Sequence, residues 1–334
     1  MTDAQEPALA VRAAWLYYVH GLTQAQVAEH LALSRVKVHR LIAQAHRQNS
    51  VKVFVEGSSG ECVMLEERIK SAFGLALVRV APSDTAAPAV DATLLRGLGA
   101  AAGLLLHQYL EKHPGASVGV GHGRTLAAVA DALPRVPRPR ASFVSILGSL
   151  TRRSTANPFD VIYRFAERTG AAGYFVPAPF FVDSVDDAET FRSQRVVRDV
   201  LERARRADVH IVGIGNLTNT PAIYAAERKS LRALGIVAEV LGQFFDGEGR
   251  EVQCDMAARS ISLRLSELRN RRVIGVAGGI DKAAAMRATL ASGLLTGLVT
   301  DEATAREVLR KSTPRHSRVK RSAVAEQGKT PSKA

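Results

Sequence analysis

The chain has 334 residues, with 45 Lys and Arg against 32 Asp and Glu and a formal net charge of +13. A hydrophobic share of 46% with 23% charged residues excludes a wholly disordered chain, and roughly 100–200 residues per domain makes two or three domains. Two cysteines, Cys62 and Cys254, exclude a disulfide framework; the start MTDAQEPALA lacks the basic and apolar regions of a signal peptide, and no apolar run nears the roughly 18–20 residues of a membrane span. The sequence therefore predicts a cytoplasmic protein.

In chain order, residues 8–20 read as an amphipathic helix whose apolar positions are Leu9, Trp15, Leu16 and Val19, stopped by Gly21. Thr23 opens a capping box with Gln26, and the short helix behind it holds Val27, Ala28 and Leu31. After the turn Ala32-Leu33, Ser34 caps a second helix that runs to about Gln48, with Val38, Leu41, Ile42 and Ala45 at helical spacing. VKVFV (51–55) alternates like a short strand or wing, and Gly57 to Gly60 form a hinge. A helix at 61–73 follows, with Cys62, Leu65, Ile69 and Phe73 on one face.

Strands and helices then alternate. Strands are predicted at 76–80, 116–120, 142–147, 208–214, 236–240, 272–277 and 297–300, and helices at 92–112, 124–133, 159–169, 188–206, 222–233, 281–292 and 301–311. Runs such as HIVGI and VIGVA are apolar throughout, as in a sheet covered on both faces. The alternation predicts a parallel α/β sheet. The domains read as 1–56, 57–311 and a disordered basic tail, 312–334. The charge is uneven: residues 1–56 carry a net +2, residues 57–309 a net +4 and residues 310–334 a net +7.

Two capped helices across a tight turn match a helix-turn-helix, whose second helix presents its amino-terminal residues to base edges in the major groove. Val38, Leu41 and Ile42 then face the core, while Arg35, Val36, Lys37, His39 and Arg40 face outward. Arg and Lys donate to guanine acceptors, and Val36 suits a thymine methyl. Ser34 and the helix dipole favour a nearby phosphate. The plainer reading is a helical hairpin with a solvated basic face, but the two caps, the turn length and the polar start of the second helix coincide. Four of the nine histidines (His20, His30, His39 and His46) lie here without zinc spacing.

In the second domain, SVGVGHGRTL (117–126) runs from strand through glycines into helix. Gly121 and Gly123 let backbone approach a ligand, the helix start offers N–H groups, and His122, Arg124 and Thr125 add polar side chains. The glycines do not follow GxGxxG, which makes a dinucleotide less apt than a phosphorylated or hydroxyl-rich small molecule. A ligand-free tight turn is the plain alternative. A second turn holds Gly213 and Gly215, and a third, GVAGGIDKAAAM (275–286), holds Lys282. All three fall at carboxyl ends of predicted parallel strands, where α/β ligands bind. Glu239 and Asp246, in AEVLGQFFD, suit sugar hydroxyls or turn formation. No GxSxG, HExxH, Walker A or CxxC pattern is present, so the sequence predicts no catalytic residue, metal or cofactor.

LTQAQVAEHLALSRVKVHRLI, SVGVGHGRTL, DVHIVGIGN, LGQFFDGEG and RVIGVAGGIDKAAAMRATLASGLLTGLVTDEATAREVL together resemble the SorC family of bacterial sugar-responsive transcriptional regulators, over about residues 8–311. The resemblance implies a helix-turn-helix followed by a sugar-binding domain similar in fold to sugar-phosphate isomerases and deaminases, in a homodimer or homotetramer. It also implies double-stranded operator DNA as partner, and a sugar, polyol or sugar-phosphate effector that controls DNA binding. The family's phosphate-type loop then falls at Gly121 to Thr125, with later contacts near Glu239, Asp246 and Lys282. Many relatives carry Trp where this chain has His122. VRAAWLYY, GHGRT, LGSLTRRSTANPFDVI and PFF look like the branch of erythritol-catabolism repressors. The competing readings are a sugar-phosphate isomerase or deaminase that carries a DNA module, and a nonspecific nucleic-acid binder driven by the tail.

Overall fold

The structure is a computed structural model that describes residues 5–48, 50–51, 60–83, 91–149, 161–218 and 225–310. Most of the predicted wing at 51–55, most of the 57–60 hinge and the whole 312–334 tail lie outside these residues.

Three helices come first: α1 (Gln5–Tyr18), α2 (Gln24–His30) and α3 (Arg35–Arg47). Their core joins Val38, Leu41, Ile42 and Ala45 of α3 to Val27 and Ala28 of α2 and to Ala10, Ala13, Ala14 and Leu16 of α1. The face of α1 thus differs from expectation. Alanines let α1 approach α3 closely, so Trp15 points out and is 56% exposed, and Val19 is exposed as well.

The second part begins with α4 (Gly60–Phe73), β1 (Leu77–Ala81), α5 (Asp91–Lys112), β2 (Ser117–Val120), α6 (Arg124–Ala132) and β3 (Ser142–Ser149). Next come α7 (Val161–Thr169), β4 (Ala172–Pro179), α8 (Val185–Ser193), α9 (Arg195–Arg205), β5 (Val209–Gly213) and α10 (Ala225–Ala233). They are followed by β6 (Ile236–Val240), β7 (Gln243–Asp246), β8 (Glu251–Val252), α11 (Asp255–Ala258) and α12 (Leu265–Leu268). The chain closes with β9 (Val273–Val276), α13 (Ala283–Ala291), β10 (Gly297–Asp301) and α14 (Glu302–Arg310).

Seven of these strands form one parallel sheet in the order β1-β10-β9-β5-β2-β3-β4. One face packs under α5, α6 and α7 through Leu106, Leu126, Val129 and Phe165. The other packs under α4, α9, α13 and α14 through Leu65, Leu201, Met286 and Val308. Burial on both faces is what the continuous apolar runs require. The helices α5 and α6 meet backbone to backbone: a Cβ at Gly99 would lie 2.6 Å from the Ala128 carbonyl oxygen.

Three differences from the sequence expectation have local causes. The segment 236–240 is a strand but leaves the parallel sheet, pairing antiparallel with β7, which pairs with β8. β4 was not among the predicted strands; it carries Pro177 and Pro179, and proline is admitted on an outermost strand, where β4 lies. The expected helix 188–206 is two helices, because Gln194 between them is extended (φ −59°, ψ 131°).

Gly148 sits where β3 shifts register against β4 and donates its N–H to the Ile261 carbonyl at 2.8 Å. A Cβ there would lie 2.3 Å from the Pro179 carbonyl oxygen, whereas Gly97, within α5, has open space. In chemical denaturation, Gly148→Ala should lower stability by ~1–3 kcal/mol through overpacking. Gly97→Ala should raise it by ~0.5–1 kcal/mol through helix propensity.

Candidate functional site

Local caps set the shape of the DNA-facing unit. Thr23 and Gln26 complete the capping box: the Gln26 N–H donates to Thr23 Oγ1 at 3.3 Å, and the Thr23 N–H donates to Gln26 Oε1 at 2.9 Å. Ala32 takes φ +52° in the turn, and the Lys37 N–H donates to Ser34 Oγ at 3.2 Å. Arg35, Val36, His39 and Arg40 are exposed, Val36 at 80%, while Lys37 is half-buried. An apolar side chain that open to water at the start of a basic helix suits contact with a base methyl. Arg40 pairs with Glu6 of α1 at 3.4 Å, a surface contact that a phosphate can replace.

The second site forms because β9, β5 and β2 are neighbours in the sheet, so the three glycine turns emerge side by side at its carboxyl edge. In the first turn the Gly121 N–H donates to the Ile211 carbonyl at 2.9 Å, and Gly123, at φ +114°, starts α6 without a side-chain cap. Arg124 is exposed and Thr125 buried. A Cβ at Gly121 would meet Leu126 Cδ1 at 3.4 Å; at Gly213 it would meet only the His122 carbonyl oxygen at 3.5 Å. Both are ordinary van der Waals contacts, so space alone demands glycine at neither position.

Gly215 draws the small antiparallel sheet against this edge. It exchanges two backbone hydrogen bonds with Glu239, each 2.9 Å. Glu239 Oε1 accepts from the Gly242 N–H at 2.6 Å and so holds the hairpin turn Leu241-Gly242, where φ is +57° and +73°. Leu241 is further fixed by Ser262 Oγ, which donates to its carbonyl at 2.8 Å. Glu239 thus braces the cleft wall.

The third turn is tied at both ends. Asn216 Nδ2 donates to the carbonyl and to Oδ2 of Asp281, both at 3.2 Å. The Gly279 N–H donates to Asp301 Oδ2 at 3.1 Å and to Thr304 Oγ1 at 2.8 Å, and Thr304 Oγ1 donates to Asp301 Oδ2 at 2.6 Å. Lys282 ends the short 3-10 turn Ile280–Lys282, ahead of α13. Asn216 and Asp281 lie within the expected turns, whereas Asp301 and Thr304 were not picked out as site residues. The Asp-x-x-Thr spacing within TDEATA was a legible cap signal for the last two.

Asp246 stands apart. It pairs in register with Ile236, at the far end of β6 from Glu239, and accepts from the backbone N–H groups of Glu248 and Arg250 and from the Arg250 side chain. That hairpin lies against the carboxyl end of α13, where a Cβ at Gly249 would crowd the Ala288 carbonyl. Asp246 shapes its own turn and is not brought to the three glycine turns.

His122, in the first glycine turn, packs its ring edge-to-face on Phe180, centroids 5.0 Å apart. The residue as a whole is only half-buried, yet its Nε2 is sealed from solvent and has no hydrogen-bond partner. Burial pushes the imidazole down to about 4, against an opposing pull from a hydrogen bond to its own backbone carbonyl. His210, fully buried in β5, is also lowered, first by burial; its Nε2 lies 2.8 Å from the Ala204 carbonyl oxygen.

A separate cavity of about 430 Å³ lies under α5 at the amino ends of β1, β10, β9 and β5, lined by Leu77, Leu105, Leu106, Tyr109, Ile274 and Val299 among others. Its apolar lining suits a hydroxyl-rich ligand poorly. The polar groups converge instead at the carboxyl edge, where parallel sheets bind ligands. Among the described residues no cluster of His, Cys, Asp and Glu could hold a metal, and no helix is long and apolar enough to cross a membrane.

A capped helix-turn-helix joined to an α/β domain with three glycine turns and their polar groups at its carboxyl strand ends defines a class: a DNA-binding transcription regulator under small-molecule control. Residues 58–310 match the Sugar-bind family of sugar-binding domains. The chain is 40% identical over 315 residues to the erythritol catabolism regulatory protein EryD of Brucella abortus, spanning 92% of this chain and 98% of that one. It is 32% identical over 316 residues to the transcriptional regulator LsrR of Enterobacter sp. strain 638, spanning 91% and 93%. The full-length sorbitol operon regulator SorC of Klebsiella pneumoniae superposes with a TM-score of 0.67 at 25% identity, over 91% of this chain and 99% of that one. The chain belongs to the SorC family, and its DNA binding is controlled by a sugar-class effector.

Two histidines held neutral, His122 and His210, give a pH signature. An unfolded imidazole protonates near 6.5, whereas His122 in the fold resists protonation until about 4. Across that window the unfolded chain binds more protons, so stability is full above about pH 6.5 and falls as the pH drops towards 4. Melting temperatures from pH 7.5 to 4.5 should follow this course, and His122→Phe should flatten part of the slope.

Proposed function

We propose that Arg35, Val36, Lys37, His39 and Arg40 read or clamp operator DNA, with Ser34 ordering the start of the helix and adding a phosphate contact. The effector is a small sugar or polyol that binds in the cleft formed by Gly121 to Thr125, Gly213 to Asn216 and Gly278 to Lys282, with Glu239 holding the wall. The observation that carries this reading is the convergence of three glycine turns from adjacent strands on one polar edge. The relative named for erythritol catabolism, 40% identical along nearly the whole chain, supports a short polyol as the effector class.

In this reading residues 1–56 bind DNA, residues 57–311 bind the effector and assemble the homodimer or homotetramer, and the basic tail from 312 adds salt-sensitive phosphate affinity. The protein acts in the cytoplasm as a sensor and not as a catalyst, in keeping with relatives that are named regulators. Effector binding shifts DNA affinity only by its differential affinity for the two states of the assembly.

The test is fluorescence anisotropy on a labelled duplex selected by the protein from a random library, titrated with and without erythritol. Arg35→Ala should weaken binding by ~1–3 kcal/mol if Arg35 contacts a base; unchanged affinity in both Arg35→Ala and Arg40→Ala would overturn the recognition-helix assignment. Arg124→Ala and Lys282→Ala should keep operator affinity while shifting the effector concentration needed for the response. A normal response in both would remove these turns from the site.

A further inference from the structure

The parallel sheet has a second edge, which the glycine turns do not use. All seven strands run the same way, so the loops that enter them gather at the amino edge. Four of these loops enter four neighbouring strands, in the spatial order β9, β5, β2 and β3. They read ELRNRR (267–272), ERARRAD (202–208), EKHPGA (111–116) and PRVPRPRA (134–141). Backbone hydrogen bonds join them in that row. The His210 N–H donates to the Arg272 carbonyl at 2.8 Å, the Asp208 N–H to the Ser117 carbonyl at 2.9 Å, and the Ser142 N–H to the Ala116 carbonyl at 3.0 Å.

The four loops hold ten Lys and Arg against four Asp and Glu, a net +6, whereas residues 57–309 as a whole carry +4. The rest of the domain is therefore net negative, and its positive charge is concentrated on this edge. The four acids are all engaged. Glu111 pairs with Arg138, Glu202 with Arg205 and Arg206, and Glu267 with Arg205, while Asp208 Oδ2 accepts from the Ser117 N–H at 2.8 Å. Arg203 and Arg272 lie over the rings of Tyr174 and Tyr109. Among the described residues, Lys112, Arg140, Arg269 and Arg271 have no ion-pair partner, and all four are exposed.

Like charges held together in this way cost self-repulsion and create a field that draws a polyanion. Nine of the ten cations are arginine, whose planar guanidinium takes phosphate oxygens in pairs. At a strand spacing of roughly 4.8 Å the row from β9 to β3 is about 14 Å long, which spans about four phosphates of one DNA strand. The helix-turn-helix, with a net +2 over residues 1–56, supplies little of this sequence-independent attraction itself.

We infer that the amino edge of the sheet is a second DNA contact, which holds the phosphate backbone of duplex DNA flanking the operator. It depends neither on the recognition-helix assignment nor on the effector cleft, which lies at the opposite ends of the same strands.

The experiment measures DNA binding by the full-length protein on two duplexes: the selected site trimmed to the roughly 20 bp that two half-sites one turn apart occupy, and the same site centred in about 60 bp. The variant is Arg140→Gln/Arg269→Gln/Arg271→Gln, which removes three exposed cations and no ion pair. Wild type should bind the long duplex more tightly and with a steeper salt dependence. The variant should melt as wild type does, keep its affinity for the short duplex and lose the advantage of the long one. Each lost phosphate contact lowers the salt slope by about 0.9, so from about 50 to 200 mM salt the wild-type affinity for the long duplex should fall roughly 40-fold further than the variant's. Lysine at the three positions should restore the slope, and glutamate should deepen the loss. The tail is present in every protein and cannot produce these differences. An unchanged affinity and slope on the long duplex, or an equal loss on both duplexes, overturns the inference. Tighter binding of a single-stranded RNA than of the long duplex, through the same three arginines, makes RNA the partner and overturns it as well. A failed recognition helix would show separately, as unchanged short-duplex affinity in Arg35→Ala and Arg40→Ala.

Discussion

The double-sided confinement of β5 governs both the sheet and the cleft. This strand is paired on both edges, with β2 and β9, and its residues from Val209 to Val212 are buried. A strand so enclosed has freedom only at its ends. Its carboxyl end is taken up by Gly213 to Asn216, which pairs backward to Glu239 and forward, through Asn216, to Asp281. The two flanking turns inherit their separation from the strand spacing of roughly 4.7–4.9 Å. Three turns held at that interval form a surface on the scale of a short carbohydrate, and no loop has to fold independently to build it.

Much of this was legible in sequence because local signals and tertiary demands agreed. The Thr23 and Ser34 caps, the apolar spacing of α3 and the apolar runs of β2, β5, β9 and β10 are each dictated locally, and all recur in the structure. Legibility failed where tertiary position overrode local pattern. The apolar run at 236–240 carries no mark of which sheet it joins. The prolines of β4 look like loop until the strand is known to be outermost. Trp15 looks like core until the alanines beside it are seen to take the packing face. In the site, glycines announced the turns, but the groups that hold them were hidden by distance: Asp301 and Thr304 act on Gly279, more than twenty residues away. Glu239 and Asp246 looked equivalent in one short motif, and strand pairing separated them.

The TDEATA segment is a fastening point of the fold. Asp301 and Thr304 hold the Gly279 N–H, and a Cβ at Gly278 would lie 2.4 Å from Asp301 Oδ2. Glu302 accepts from the Ser83 N–H at 3.3 Å and pairs with Arg306, which also reaches Glu61 of α4. These residues fasten the third glycine turn, the end of β1 and the first helix after residues 52–59 to one helix start. Their value to the cleft is rigidity, since hydrogen-bonded backbone holds a turn open at a fixed width.

The outward turn of the α1 face has a spectroscopic consequence. Trp15 is the one tryptophan in the sequence, and it stands half-exposed on the DNA-binding unit, 6.5 Å from the His20 ring. Indole emission from the intact protein therefore originates wholly in the helix-turn-helix, far along the chain from the glycine turns. A change in that emission when a sugar is added is a report from the DNA-binding end on an event at the other, obtained without labels and without DNA.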